Sequence, residues 1–338
     1  MAALRRPGQS DRTQPSAAPV IPPITVHRLI VPLDGSRLAE AVLPIAVRLA
    51  QAFDATISLL HVIEKEAPPR VHGEPHLAHR SDAEAYLTRL ARRFEAEGRR
   101  VEFHVHEVPV GNVAQAIADH AEEQRSDLVL LTTHGAGGLR EALWGSIAQR
   151  VLQSSRRPTL LVRARGDAQA VPPFRPRTIM VPLDGTAAAE AALPLARALA
   201  RGLGADLRLV MVVPTLETIE GEQFPQATFL PTTTRALLDA QVEQATDYLG
   251  RLAASLRSLG VSTLSEVRRG GPVAELATDA AEHADGLVLV ATHGRAGLQA
   301  IWSSSVAARL LKRTQAPVLL VPIVEPEYRA DDYPVTDR

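Results

Sequence analysis

"RLIVPLDGSRLAEAVLPIAVRLA", residues 28–50, returns 150 positions later as "TIMVPLDGTAAAEAALPLARALA", residues 178–200. Asp34 stands opposite Asp184, Pro44 opposite Pro194 and Val62 opposite Val212, each pair 150 apart. Further along, "THGAGGLREALWGS" (133–146) matches "THGRAGLQAIWSSS" (292–305), with His134 and His293 separated by 159, so the second copy has gained residues in its middle. A chain of 338 residues exceeds the roughly 100–200 of one domain. The repeat accounts for the excess: one domain is written twice.

Each copy alternates short apolar runs with amphipathic stretches. In the first, residues 29–33, 55–63, 100–110, 127–133 and 159–163 read as strands, rich in Val, Ile and Leu at consecutive positions. Such runs suit strands covered on both faces. Between them Leu38, Val42, Ile45 and Leu49 fall at helical spacing, as do Val113 and Ile117, and later Ile147 and Val151. Strand and helix in alternation imply right-handed crossovers and a parallel, doubly wound α/β sheet in each copy. Pro44 and Pro194 fall inside the first helix of their copies and are expected to kink it, because proline lacks the amide donor and crowds the preceding turn.

The expected organisation is a disordered leader over 1–23, a first domain over 24–165, a Pro-rich linker over 166–176, a second domain over 177–324 and a polar tail over 325–338. Apolar residues make up 46% of the chain, ample for two cores. Lys and Arg total 37 against 38 for Asp and Glu, which leaves no electrostatic footprint for a nucleic acid or an anionic membrane. With no cysteine, disulfide frameworks, thiolate nucleophiles and Cys-based zinc sites are excluded together. No apolar run reaches the ~18 residues of a membrane helix, and the first residues lack the apolar core of a signal peptide. The expected location is the cytoplasm.

In a doubly wound sheet, ligands bind beyond the carboxyl ends of the strands, where the strand order reverses. Two segments are placed to meet there. "VPLDGS" (31–36) ends a strand, projects Asp34 and opens a helix; the segment from Thr132 runs through Gly135 and Gly138 to Gly145 and Ser146 at the next helix start. Glycines admit close approach of an anion, and the free amides of a helix start point at it. Phosphates at one end and a ribose or base donor for Asp34 at the other describe a nucleotide. The G-x-G-x-x-G of dinucleotide folds and the G-x-x-x-x-G-K-[ST] of P-loop enzymes are both absent.

From about Arg28 to Ile323 the chain resembles tandem universal stress proteins, whose nucleotide pattern is G-x2-G-x9-G-[S/T] with an Asp after the first strand. The first copy has Thr132 in place of the opening glycine, then Gly135, nine residues, and Gly145-Ser146; the second has Ala291, Gly294, nine residues and Ser304-Ser305. The resemblance implies strand order 3-2-1-4-5 in each copy and an intramolecular pseudo-dimer. The last strands, "TLLVRA" (159–164) and "VLLVPI" (318–323), are expected to pair with each other. It implies ATP, with Mg2+ or Mn2+ on the phosphates, bound by Asp34, Val62 on the adenine side, Thr132, Gly135, Gly145, Ser146 and Ile147. Asp184, Val212, Gly294 and Ser305 would form a weaker second site, since Ser304 and Ala291 put side chains where the pattern has glycine. The implied role is nucleotide binding in a stress response, without catalysis and with a homodimer as the further possible assembly. The alternative is a nucleotide-free interaction scaffold.

Other groups have ordinary readings. His72, His76 and His79 in "HGEPHLAH" have metal-like spacing, but Pro75 breaks any helix that would align them and the second copy has no equivalents. His104 and His106 share one strand face and read as strand positions, with no metal site assigned. "RRFEAEGRR" (92–100) reads as a solvated helix face, and Trp144 and Trp302 as packing residues.

Overall fold

Each copy opens on the strand that ends in Pro-Leu-Asp-Gly and builds outward from it. In the computed structural model the described residues are 21–65, 70–71, 74–109, 112–134, 146–164, 174–218, 231–293 and 306–323. The first copy runs β1 (Arg28–Pro32), α1 (Arg37–Glu40), α2 (Leu43–Phe53), β2 (Thr56–Glu64), a small hairpin of β3 (Arg70–Val71) and β4 (Glu74–Pro75), and α3 (Arg80–Ala96). It continues with β5 (Val101–Val108), α4 (Val113–Glu123), β6 (Leu128–His134), α5 (Ser146–Ser154) and β7 (Thr159–Ala164). The second copy repeats the plan with β8 (Thr178–Leu183), α6 (Ala187–Glu190), α7 (Leu193–Leu203), β9 (Asp206–Val213) and α8 (Pro231–Ser258). It ends with β10 (Thr263–Arg269), α9 (Pro272–Glu282), β11 (Leu287–His293), α10 (Val306–Arg313) and β12 (Val318–Ile323). None of the described helices is long and apolar enough to cross a membrane.

The principal strands form one sheet of ten in the order β10-β9-β8-β11-β12-β7-β6-β1-β2-β5. Counted within each copy, that is 3-2-1-4-5 twice. All pairings inside a copy's half of the sheet are parallel, whereas β7 and β12 meet antiparallel, with Val318 opposite Leu161 and Leu320 opposite Thr159. The expected pairing of the last strands is therefore what joins the copies, and it removes two apolar edges at once.

Helices cover both faces. On one, α2, α3, α7 and α8 contribute Leu49, Leu87, Leu199 and Leu252 to a core shared by both copies. On the other, α4, α5, α9 and α10 contribute Ile117, Val151, Leu276 and Leu310. The first strands of the copies are accordingly apolar in series: Leu29, Ile30 and Val31 are fully buried, as are Ile179 and Val181. The copies also interlock through α2 and α7, where an added methyl on Gly202 would lie 2.4 Å from the Phe53 ring and Arg48 donates to the Leu203 carbonyl at 3.3 Å.

Two expectations require correction. Pro44 and Pro194 do not kink a continuous helix; the helix divides into α1 and α2, and into α6 and α7, with each proline in the first turn of the second piece. There its missing amide costs nothing, since first-turn amides have no intrahelical partner. Nor is the end of the leader detached: Ile21 is buried in the core and its carbonyl accepts from Arg197 at 3.0 Å. The "RRFEAEGRR" face is solvated, with Arg92 and Arg93 exposed on α3 and Phe94 turned inward.

Candidate functional site

The strand order reverses between β1 and β6 in the first copy and between β8 and β11 in the second, because the chain fills one side of its first strand and then crosses to the other. A crevice opens there at the carboxyl ends. Leu29 is level with Ile57 on β2 and Leu128 on β6. Continued along the strands, this register brings Leu33, His61 and Thr132 to one level, with Asp34 and Val62 one residue beyond. Three predicted site residues, Asp34, Val62 and Thr132, thus come from adjacent strands to the same crevice. Ser146 begins α5, and Ile147 is 43% exposed beside it. Gly135, Gly145, Gly294 and Ser305, together with Trp144 and Trp302, lie outside the described residues, as do the side chains of Ser146, His134 and His293.

Asp34 is held by its own turn. Its Oδ1 accepts from the Ser36 amide at 2.9 Å and from the Ser36 hydroxyl at 2.6 Å. The same hydroxyl caps α1 by accepting from the Ala39 amide at 3.1 Å. Gly35 makes the turn possible with φ +89°, a conformation that side chains rarely take. The second copy repeats the device: Asp184 Oδ1 accepts from Thr186 N at 2.9 Å and Oγ1 at 2.6 Å, and Gly185 has φ +84°.

Around this shared frame the copies differ. In the first, His61 hydrogen-bonds the Leu33 carbonyl through Nδ1 at 2.7 Å and the Leu77 carbonyl through Nε2 at 3.2 Å. Leu77 lies over Gly35, within 2.7 Å of where a methyl would stand. Glu74 accepts from the Arg37 amide at 2.9 Å. Burial, then the neighbouring His61, lowers the pKa of His76. In the second copy Met211 stands in place of His61, and a cavity of about 350 Å³ opens, lined by Asp184, Thr186, Val212, Leu276, Ala291 and Val306. Its volume falls at the lower end of small-ligand pockets, and two of its walls, Asp184 and Val212, are predicted site residues.

Sequence reasoning missed a second pair of equivalent contacts. Tyr86 donates to Glu40 at 3.0 Å and Tyr248 to Glu190 at 2.8 Å. Burial raises both phenols well above their ordinary range, with the adjacent glutamates adding to the effect. The signal was present in the repeat, since Glu40 and Glu190 are 150 apart and both tyrosines fall in the helix before the third strand. Of the loop histidines, His72 is outside the described residues, His76 stands 6.3 Å from His61 between ring centres, and His79 is exposed before α3. Among the described residues the group of three metal-type ligands with atoms within 4.8 Å of one another is Asp279, Glu282 and His283. It is already neutralised: Asp279 accepts from Arg208 at 2.6 Å and pairs with Arg268 at 3.1 Å, and Glu282 pairs with Arg268.

Comparison with known proteins agrees with this architecture. A universal stress protein of Methanocaldococcus jannaschii is 28% identical over 142 residues, covering 40% of this chain and 81% of the relative. One of Mycolicibacterium smegmatis is 26% identical over 313 residues, covering 88% of this chain and 97% of its own. The crystal structure of a universal stress protein from Archaeoglobus fulgidus shares the fold with a TM-score of 0.62 at 16% identity, covering 87% of this chain and 98% of that one. The profile of the universal stress protein family matches residues 25–163 and again 176–322; the chain belongs to that family and carries its domain twice.

Proposed function

We propose that this universal stress protein binds an adenine nucleotide, ATP, at the carboxyl ends of its strands, mainly in the first copy, and acts in a stress response by binding rather than turnover. The observation that carries the reading is the strand register that brings Asp34, Val62 and Thr132 to the carboxyl ends of neighbouring strands at the reversal of strand order. Asp34 is presented by a rigid turn to a ribose or base donor, Val62 offers an apolar wall to the adenine, and the start of α5 offers amides to the phosphates. Mg2+ or Mn2+ would sit on the phosphates and add positive charge to that of Arg140, the one cation in the loop sequence 135–145. The first copy is favoured because Gly135 and Gly145 leave that loop free of side chains at two of the pattern's three glycine positions.

A second reading has its own support. The second copy has the described cavity, and the Ala291 methyl lines it. If room governs occupancy rather than phosphate contacts, the nucleotide goes there. Calorimetric titration of the full chain with Mg·ATP separates the two: one site lost in Gly145→Val and kept in Val212→Trp supports the first copy, and the reverse pattern supports the second. Nucleotide absent from extracts of purified protein, together with no heat of binding, refutes both in favour of a nucleotide-free scaffold.

A further inference from the structure

On the face of the sheet opposite α3, the first copy gathers three histidines that the nucleotide reading does not use. β5 is an outermost strand of the sheet, and His104 and His106, two apart, point to the same side. The ring of His120, from α4, lies between theirs, its centre 4.7 Å from that of His104 and 4.6 Å from that of His106. We infer that these three imidazoles form an acid-sensitive latch, which on taking up protons releases β5 and α4 from the outer edge of the first copy while the second copy stays closed. The latch works with or without a bound nucleotide.

Geometry alone makes the trio hostile to charge. His120 is only 2% exposed, and neither of its ring nitrogens has a hydrogen-bond partner. A proton added there places a cation in the interior with no acceptor for its N–H groups. Protons on neighbouring rings set like charges 4.6–4.7 Å apart between ring centres. Burial, followed by the neighbouring His106 and His104, accordingly holds the His120 pKa down to about 4, and burial likewise lowers that of His104. The folded chain thus binds this proton less readily than the unfolded chain, whose histidine has the ordinary value of 6.5. The stability that neutral His120 supports is therefore complete above pH 6.5 and is lost as the pH falls towards 4. At any pH an unpartnered imidazole packs here at a cost that an apolar ring would avoid; what the imidazole adds is a proton site.

The groups around the trio do not offset this. From β1, Arg28 adds a positive charge and is paired with Glu102 of β5. Glu102 lies 3.9 Å from His104 but is shared with that arginine. Glu123, in the last turn of α4, lies 3.9 Å from His120 with its own side chain 68% exposed, where water screens it. Glu122 is engaged by Arg157, and Asp127 by the amides of His27 and Arg28. From β2, Ser58 is uncharged and its buried hydroxyl is unpartnered. Among the described strands β5 pairs with β2 alone, so the unit can part from the sheet by breaking one strand pair.

The second copy shows the same place closed by fixed charges. Its equivalents by register and repeat are Glu266 for His104, Arg268 for His106, Asp279 for His120 and Arg208 for Ser58. There the buried Asp279 is held by both arginines, and Arg208 also reaches Glu266 at 2.7 Å. The Arg268 guanidinium holds the Glu282 carboxyl below the ordinary carboxylate range, and at pH 5 carboxylates are still ionised. His283, 4.0 Å from Asp279, gains a favourable pairing when protonated. Mild acid therefore leaves that copy's ion pairs in place and acts on the imidazoles of the first.

The test follows hydrogen–deuterium exchange of the full chain, without nucleotide, at pH 7 and pH 5, each rate divided by the intrinsic exchange rate at that pH. A His120 pKa of about 4 against an ordinary 6.5 raises the open population roughly thirtyfold at pH 5. Protection of β5 and α4 is expected to fall by about tenfold or more relative to β10 and α9. In His120→Phe, which keeps an aromatic ring between the other two, the relative fall should shrink to about threefold or less. No relative fall in the wild-type chain overturns the latch. So does an equal fall in both copies, and so does a fall that His120→Phe leaves at full size. If His120→Phe does not fold, the wild-type comparison of the two copies decides alone.

Discussion

Replacing Asp34 by asparagine should weaken Mg·ATP binding while leaving the fold in place, and replacing it by alanine should damage both. The structure gives the reason. One oxygen of Asp34 accepts from both the amide and the hydroxyl of Ser36, and that hydroxyl caps α1 at Ala39. An asparagine carbonyl can accept the same two bonds, so Asp34→Asn preserves the turn and removes only the charge. A hydrogen bond to a charged group contributes about 1.5–3 kcal/mol, so the loss in affinity is roughly ten- to a hundredfold. Asp34→Ala frees the Ser36 side chain as well, and losing such a cap costs about 0.5–2 kcal/mol of stability. Calorimetric titration reads the first quantity and urea unfolding the second. Asp184→Asn, in the matching turn of the second copy, is the control and should leave the tight site unchanged. Unaltered affinity in Asp34→Asn, or an equal loss in Asp184→Asn, would refute the assignment of Asp34 to the nucleotide.

A first copy expressed alone, residues 24–165, should self-associate or precipitate because β7 loses its antiparallel partner β12; sedimentation showing a soluble monomer at high concentration contradicts this. Ser304→Gly should leave nucleotide affinity little changed unless Ala291→Gly accompanies it, and a calorimetric gain from the single substitution would argue against two obstructions. Gly202→Ala should destabilise the chain by about 1–2 kcal/mol, since overpacking against Phe53 outweighs the ~1 kcal/mol gained in helix propensity. In a Phe53→Leu background the same change should become stabilising, and equal effects in both backgrounds by urea unfolding would exclude the clash. Tyr86→Phe should cost about 1–2 kcal/mol through loss of the bond to Glu40, and an unchanged melt would show that the bond contributes nothing.

The repeat, the strand and helix alternation and the places where the strands end were legible in the sequence because each is local. Consecutive Val, Ile and Leu in β1 and β8 report burial on both faces without reference to any partner, and the offset of 150 needs no structure to be seen. The division of the helix at Pro44 was half legible: proline announces a break, but the neighbouring turn decides whether the break is a kink or a fresh start. Only tertiary structure brings together residues that no spacing relates. His120 is fourteen positions from His106, and it meets the strand pair because α4 packs back across β2 and β5. Likewise His61 reads as one more position in an apolar strand until its ring is found binding carbonyls of two separate segments. Twofold duplication was written in the chain, but the different fates of its two copies, imidazoles in one and ion pairs in the other, follow from side chains that touch only after the sheet is wound.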